Sequence, residues 1–150
     1  FQAVAARIPV VRRVARNRAR EIFDLVAGFT YSQILLAAVE ADLFDLLATG
    51  DKNLPQISTA TGLSIKAAER LLNAMAALDL AEEVAPEQWM LGPRGAVIQA
   101  DRGVQAMIRH HRLLYADLAD PLALLKQDRG QPTALANFWS YAGEHAALVG

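Results

Sequence analysis

The stretch from residue 54 to residue 91, LPQISTATGLSIKAAERLLNAMAALDLAEEVAPEQWML, decides the fold of this chain. It predicts a short helix opened by Pro55, since a proline in the first helical turn loses no needed hydrogen bond. Gly62 can adopt a positive φ at a tight turn, and Ser64 can cap a second helix. Apolar residues recur at helical spacing in that second helix: Ile65, Ala68, Leu71, Leu72, Met75 and Leu78.

After Leu80 the pattern changes from helical spacing to two short runs that favour β-strands. These runs, residues 81–84 and 88–91, flank a turn at Pro86-Glu87. A helix-turn-helix followed by a hairpin predicts a winged helix. The expected fold class is therefore mainly α, with a winged-helix core, a small two-stranded β wing, and extra N- and C-terminal helices that form a dimer interface.

The segment before this core predicts two helices. One runs from Pro9 to about Gly28, and the next covers residues 31–48 and ends at Gly50, a residue suited to helix C-termini.

The segment after the core is also predicted to be helical. A short helix begins at Pro93, and helices at 103–119 and 121–127 meet at Asp120-Pro121, followed by a last helix from Pro132. The two helices that meet at Asp120-Pro121 carry an apolar seam in steps of four and three: Val104, Ile108, His111, Tyr115, Leu118, Leu122 and Leu125.

Length and composition favour one helical domain over residues 1–150. It is divided into N-terminal helices (1–50), the helix-turn-helix with its wing (54–92) and C-terminal helices (93–150). The chain has no cysteine, which excludes disulfides, and its three histidines show no zinc-binding spacing. The chain is expected to be a piece of something longer.

Two features bear on location. The longest uncharged run, residues 25–39, is expected to be too short and too polar to span a bilayer. No signal peptide is recognised, so a cytoplasmic location is expected.

Charge is unevenly distributed along the chain. The first twenty residues hold six arginines and no acid, whereas the remainder holds nine bases against sixteen acids. Such a basic segment can bind nucleic acid or make peripheral contact with an anionic membrane, but a solvated helix face, or one paired with acids on a partner, is favoured.

The outward face of the second core helix bears on DNA binding. Lys66, Arg70 and Asn73 are its only plausible DNA readers, and Glu69 opposes them. The wing adds three further acids: Glu82, Glu83 and Glu87. Because phosphate contacts supply most of the affinity for DNA, no nucleic-acid partner is expected.

The sequence offers no catalytic, metal-binding or cofactor-binding arrangement. His110 and His111 are adjacent on a helix and point about 100° apart, so they cannot share one metal ion. His111 is either a hydrogen-bonded core residue or lines a ligand pocket with Tyr115. Phe138 and Trp139 are either core aromatics or a wall of the same pocket.

The outer helices hold more apolar surface than a domain of this size can cover, which predicts a closed two-fold homodimer. The residues expected at the dimer interface are Ile22, Leu25, Phe29, Ile108, Leu118 and Leu122.

Several motifs resemble one enzyme family. The winged-helix stretch, EQWMLGPRG and the helices around them resemble the N-terminal dimerisation domain of S-adenosylmethionine-dependent O-methyltransferases of the caffeate and hydroxyindole type. REIFDLVAGFTYSQILLAAVEADLFDLL, MIRHHRLLYADLADPLALL and NFWSYA more narrowly resemble bacterial hydroxyneurosporene (carotenoid) methyltransferases.

The resemblance implies a division of labour between two domains. The N-terminal domain would exchange helices with its twin and help to close the partner's pocket over a hydrophobic hydroxylated substrate such as a carotenoid. A separate Rossmann-like domain, absent from this chain, would bind S-adenosylmethionine and carry the catalytic base. This chain alone would then bind no cofactor and be inactive. A winged-helix transcription regulator with a ligand pocket is the alternative, and a dimerisation domain of some other enzyme is the third.

Overall fold

Seven helices and three short strands make up the part of the chain that the structure, a computed structural model, describes: residues 9–126 and 133–134, with side chains from residue 17. The elements in order are α1 (Pro9–Glu40), α2 (Leu43–Ala48), β1 (Lys52–Asn53), α3 (Leu54–Thr61), α4 (Ile65–Ala76), β2 (Ala81–Ala85), β3 (Gln88–Leu91), α5 (Pro93–Ala100), α6 (Arg102–Asp117) and α7 (Pro121–Lys126). The helix expected from Pro132 lies outside the described residues, apart from residues 133 and 134.

The helix-turn-helix forms as predicted, with a stronger start than Pro55 alone provides. Asn53 and Gln56 form a capping box, in which each side-chain oxygen accepts the other residue's backbone N–H at 2.9 Å. Gly62 takes φ 73° at the turn, and the side chain of Ser64 accepts the Ala67 N–H at the start of α4.

The buried face of α4 is narrower than predicted. Ala68, Leu72 and Met75 are fully buried, whereas Ile65 in the first turn is 51% exposed. Ile65 therefore belongs to the predicted apolar face but is not covered by the core.

The wing is a three-stranded antiparallel sheet rather than a hairpin alone. Its order is β1-β3-β2, with Lys52 opposite Trp89 and Ala81 opposite Leu91. The prediction of two strands was incomplete, because a two-residue strand leaves no periodicity in the sequence and depends on pairing with β3. This strand joins the wing to the start of α3.

The N-terminal region is one 32-residue helix rather than two helices divided near Gly28. A glycine inside a helix costs only about 1 kcal/mol, so it need not end one, and the Ser32 hydroxyl donates to the Gly28 carbonyl at 3.1 Å. The break falls instead at Asp42, whose φ is 51°, and α2 begins at Leu43. The predicted helix boundary was therefore wrong by about one dozen residues.

The core lies between the second half of α1, helices α2 to α4 and the sheet. Its largest fully buried side chains are Phe44, Leu43, Ile57, Leu72, Met75 and Val39. Trp89 closes the core from the sheet and Ile108 from α6, with 2% and 7% of their surfaces exposed.

The C-terminal helices begin where the sequence indicated. Asp101 caps α6 by accepting the backbone N–H groups of Gly103 and Val104, and Asp120 caps α7 by accepting that of Ala123. The apolar seam of α6 is buried at Ile108, but its continuation at Leu122 and Leu125 is 60% and 82% exposed.

The bilayer expectation needs correction. Within the described residues, the segment Asn17–Glu40 of α1 is long and apolar enough to cross a membrane by length and composition, and 17% of its apolar 18-residue stretch is buried. The prediction was too strict, because it considered only residues 25–39, the run between the nearest charged residues.

Candidate functional site

Two of the predicted pocket residues meet a predicted dimer residue in an aromatic cluster between α1 and α6. The Tyr115 ring lies edge-on to the Phe29 ring, with centroids 5.9 Å apart, and edge-on to the His111 ring at 6.1 Å. Tyr115 and His111 are half-buried, whereas Phe29 is 66% exposed. Phe138 and Trp139, the other two predicted pocket residues, lie outside the described residues.

The aromatic cluster is positioned by ion pairs between α6 and the junction of α1 with α2. Arg112 bonds the Glu40 carboxylate at 2.8 Å. Arg109 donates to the Val39 carbonyl oxygen at 3.2 Å and lies 3.4 Å from the Asp42 carboxylate. Because Arg109 and Arg112 are six and three residues before Tyr115, they fix the part of α6 that carries the aromatic residues.

A third pair anchors the start of α6. Arg102 bonds the Asp45 carboxylate at 2.7 Å, and Gln99 donates to the same carboxylate at 3.3 Å. The Arg102 hydrogen bond is the main reason that the pKa of Asp45 lies below its ordinary value; partial burial opposes the shift, and Gln99 adds to it. These pairs are solvent-exposed, so each stabilises the fold by about 1 kcal/mol or less.

The predicted dimer face on α1 is an exposed apolar stripe. Ile22, Leu25, Val26 and Phe29 share one side of the helix, and 60% to 79% of each side chain is exposed. This much apolar surface on one helix is unusual for a protein that acts as a monomer.

Exposed apolar residues also occur just after α6 and in α7. Leu118 and Leu122 are 43% and 60% exposed. Ile108, the remaining predicted interface residue, is 7% exposed and packs in the protomer's own core.

An apolar cleft of about 400 Å³ lies on a different side of α1 from the aromatic cluster. Tyr31 and Phe29 are two residues apart, which places them on nearly opposite sides of the helix. The cleft is lined by Tyr31, Leu35, Leu78, Leu80, Arg94, Val97 and Ile98. Sequence reasoning missed it, because its walls come from three separated segments and no short motif links them.

Tyr31 lies at the edge of this cleft, and a hydrogen bond holds its hydroxyl group in place. Its phenol donates to the Asp24 carboxylate at 3.0 Å. This hydrogen bond, with smaller contributions from burial and from the negative charge of Asp24, raises the pKa of Tyr31 above its ordinary value. The residue therefore stays neutral throughout the physiological range.

The outward face of α4 and the wing have the charges that the sequence indicated. Lys66, Arg70 and Asn73 are exposed, as is Glu69. The wing acids Glu82, Glu83 and Glu87 are exposed as well, and the Glu83 carboxylate accepts the Glu87 N–H at 2.8 Å. Among the described residues, no group of three or more histidines, aspartates or glutamates could hold a metal ion.

A long first helix that exposes apolar side chains beside a small helical core favours contact with a partner. Comparison with known families makes the class specific: residues 23–95 match the model of the O-methyltransferase dimerisation domain. Residues 23–95 thus resemble this dimerisation domain, and the resemblance to O-methyltransferases that the sequence predicted is confirmed.

Individual relatives agree with this assignment. Demethylspheroidene O-methyltransferase of Cereibacter sphaeroides is 43% identical over 141 residues, which cover 94% of this chain and 37% of that protein. The chain therefore spans little more than a third of the length of this relative.

Solved structures agree in fold. The crystal structure of LaPhzM has a TM-score of 0.70 and 20% identity, over 86% of this chain and 40% of that one. Human N-acetylserotonin methyltransferase, solved in complex with SAM, has a TM-score of 0.64 and 23% identity, over 76% and 36%.

Proposed function

We propose that this chain is the homodimerisation and substrate-pocket-capping module of an O-methyltransferase that acts on a small hydrophobic molecule. The observation that carries the proposal is the position of the half-buried His111 and Tyr115 directly beside the exposed apolar stripe of α1. A second subunit that covers the stripe would also cover the aromatic cluster. Dimerisation and closure of a pocket would then be one event.

The proposed chemistry is methyl transfer to a substrate hydroxyl. S-adenosylmethionine would supply an electrophilic methyl group on a positively charged sulfur, and the hydroxyl proton would pass to a general base. Both the donor site and the base are proposed to lie in a Rossmann-like domain outside this chain. The chain alone would then be inactive and would bind no methyl donor. The residues described here would hold the substrate and exclude water, which raises the rate because oriented reactants need no further ordering.

The proposed substrate is a hydroxylated hydrophobic molecule such as a carotenoid alcohol. Support comes from the Cereibacter relative, whose name specifies demethylspheroidene, and from the mixed apolar and aromatic character of the cluster. A pocket of this composition binds by apolar contact, and one or two polar groups orient the ligand. His111 is the polar group that would do so here. A cytoplasmic location stays a prediction.

The dimer is tested by analytical ultracentrifugation of the chain with a matched pair of substitutions. Leu25→Glu places a charge in the stripe, and we expect the dissociation constant to rise at least about a hundredfold. The reason is that two subunits each lose a buried leucine at roughly 1.5 kcal/mol or more. Val84→Glu makes the same change on the wing, where the side chain is 47% exposed, and should leave the dimer unchanged.

The capping role is tested in the full-length protein. Tyr115→Phe keeps the ring contact with Phe29, whereas Tyr115→Ala removes it. We expect Tyr115→Ala to raise KM for a carotenoid alcohol while the affinity for S-adenosylmethionine stays unchanged. Equal KM values for the two variants and the wild type would refute the capping role without touching the dimer.

A further inference from the structure

The first part of α1 carries charge that the dimerisation domain does not account for. This helix begins at Pro9, and its first twelve residues include five arginines and no acid. The match to the dimerisation domain begins only at residue 23. The match to the Cereibacter protein covers 141 of the 150 residues and so extends into the arginine segment.

The exposed aromatic side chain of Phe23 follows these arginines along the helix and lies on a different side from the apolar stripe. Phe23 is 65% exposed, and it lies about 100° around the helix from Ile22 and the apolar stripe. Arg20 is three residues earlier, hence one turn before Phe23 on nearly the same side, and both line a shallow groove with Asp24. The Asp24 carboxylate already accepts the Tyr31 hydroxyl, and Glu21 is the other acid nearby.

We propose that this arginine-bearing start of α1 lies on the surface of an anionic lipid bilayer. The arginines would pair with headgroup phosphates, and Phe23 would insert at the boundary with the acyl chains. A helix with a basic segment and adjacent exposed apolar side chains is typical of binding in the plane of the interface. Every side chain from residue 17 to residue 26 is exposed, so this part of the helix is accessible to such a surface.

Two other occupants fit this side of the helix less well. A two-fold contact with a second copy would use the same patch on both chains and would bring two sets of five arginines together. A nucleic acid would satisfy the arginines but would leave Phe23 exposed to water. The apolar stripe of Ile22, Leu25, Val26 and Phe29 stays available for the second subunit.

The test is co-sedimentation of the full chain with lipid vesicles. Vesicles of phosphatidylcholine with about a third phosphatidylglycerol should bind the chain, and pure phosphatidylcholine should not. An arginine near such a surface contributes roughly a fivefold increase in partitioning. The variant Arg16→Gln with Arg20→Gln should therefore bind roughly 25-fold more weakly, and Phe23→Ser should weaken binding by about tenfold.

A matched control separates the proposed surface from general electrostatic attraction. Lys66→Gln with Arg70→Gln removes the same charge from the exposed face of α4 and should leave vesicle binding within about twofold of the wild type. An equal loss in both double variants would overturn the proposal, as would binding that ignores the lipid charge or no binding at all. Tighter binding to duplex DNA than to the vesicles would assign the segment to nucleic acid instead.

The dimer is measured separately on each variant. If Arg16→Gln with Arg20→Gln weakens the dimer rather than vesicle binding, the segment is a subunit contact and the proposal fails. The membrane contact and the methyltransferase role can therefore fail independently, because Leu25→Glu tests the dimer and leaves the arginines intact.

Discussion

The tight contact between α5 and the turn before β2 makes a prediction that can be worked through from the structure. Gly95 lies in the first turn of α5 and is buried. A Cβ atom placed there would overlap the Leu80 carbonyl oxygen and lie 3.0 Å from the Leu80 carbonyl carbon and 3.2 Å from Leu91 Cδ2. Two of these three atoms are backbone, so they cannot move aside as a flexible side chain would.

We therefore expect Gly95→Ala to destabilise the chain. Because the overlapped atoms are backbone, the cost lies in the upper part of the usual range, about 2–3 kcal/mol, and exceeds the gain of about 1 kcal/mol that alanine brings to a helix. The net loss should be about 1–2 kcal/mol. With a denaturant dependence of about 2 kcal/mol per molar in urea, the unfolding midpoint should fall by roughly 0.5–1 M.

Gly28→Ala is the matched control. Gly28 is inside α1, and no atom lies within 4 Å of a Cβ placed there. The same substitution should therefore stabilise the chain by about 0.5–1 kcal/mol, through helix propensity alone. Urea unfolding followed by circular dichroism, at one fixed protein concentration, measures both variants, since a dimer's stability depends on concentration. The reasoning is refuted if Gly95→Ala is as stable as the wild type, or if the two variants shift in the same direction.

The remaining predictions concern titration and packing. Because the folded pKa of Asp45 is lowered from 3.8, the stabilisation from its contact with Arg102 is present above that value and is lost as the pH falls through the folded pKa. The urea unfolding midpoint of Asp45→Asn should therefore depend less on pH in acid than that of the wild type. An unchanged pH profile would contradict the role assigned to Asp45. The pKa of Tyr31 is raised from 10.0, so its ultraviolet titration should move to lower pH in Asp24→Asn, while Asp51→Asn should leave it unchanged. Ile57→Ala empties a fully buried site and should cost about 2–5 kcal/mol in urea unfolding; a loss below about 1 kcal/mol would mean that the core collapses around the cavity.

Local signals located most elements of the winged helix. Gly62, Ser64 and the Pro86-Glu87 turn act within a few residues of themselves, so the sequence was enough to predict the helices and hairpin around them. The errors occurred where a neighbour distant in sequence decides. Gly28 does not end α1, and β1 exists because Lys52 and Asn53 pair with β3.

The candidate site was predicted in part. His111 and Tyr115 were selected from helical spacing and the structure brings them together, because residues four apart share a helix face. The contact of Tyr115 with Phe29, and the cleft beside Tyr31, could not be read from spacing. Both depend on the packing of segments that are more than forty residues apart.

By itself, the sequence determined the fold class, the acidic wing and the family resemblance, since all three depend on residue type and order along the chain. Only the tertiary structure decided which apolar residues are left for a partner. Ile108 and Leu122 follow the same seam spacing, yet Ile108 is buried against the core and Leu122 is 60% exposed. Periodicity determines which residues share a helix face, whereas the extent of the core beneath that face determines which of them it covers.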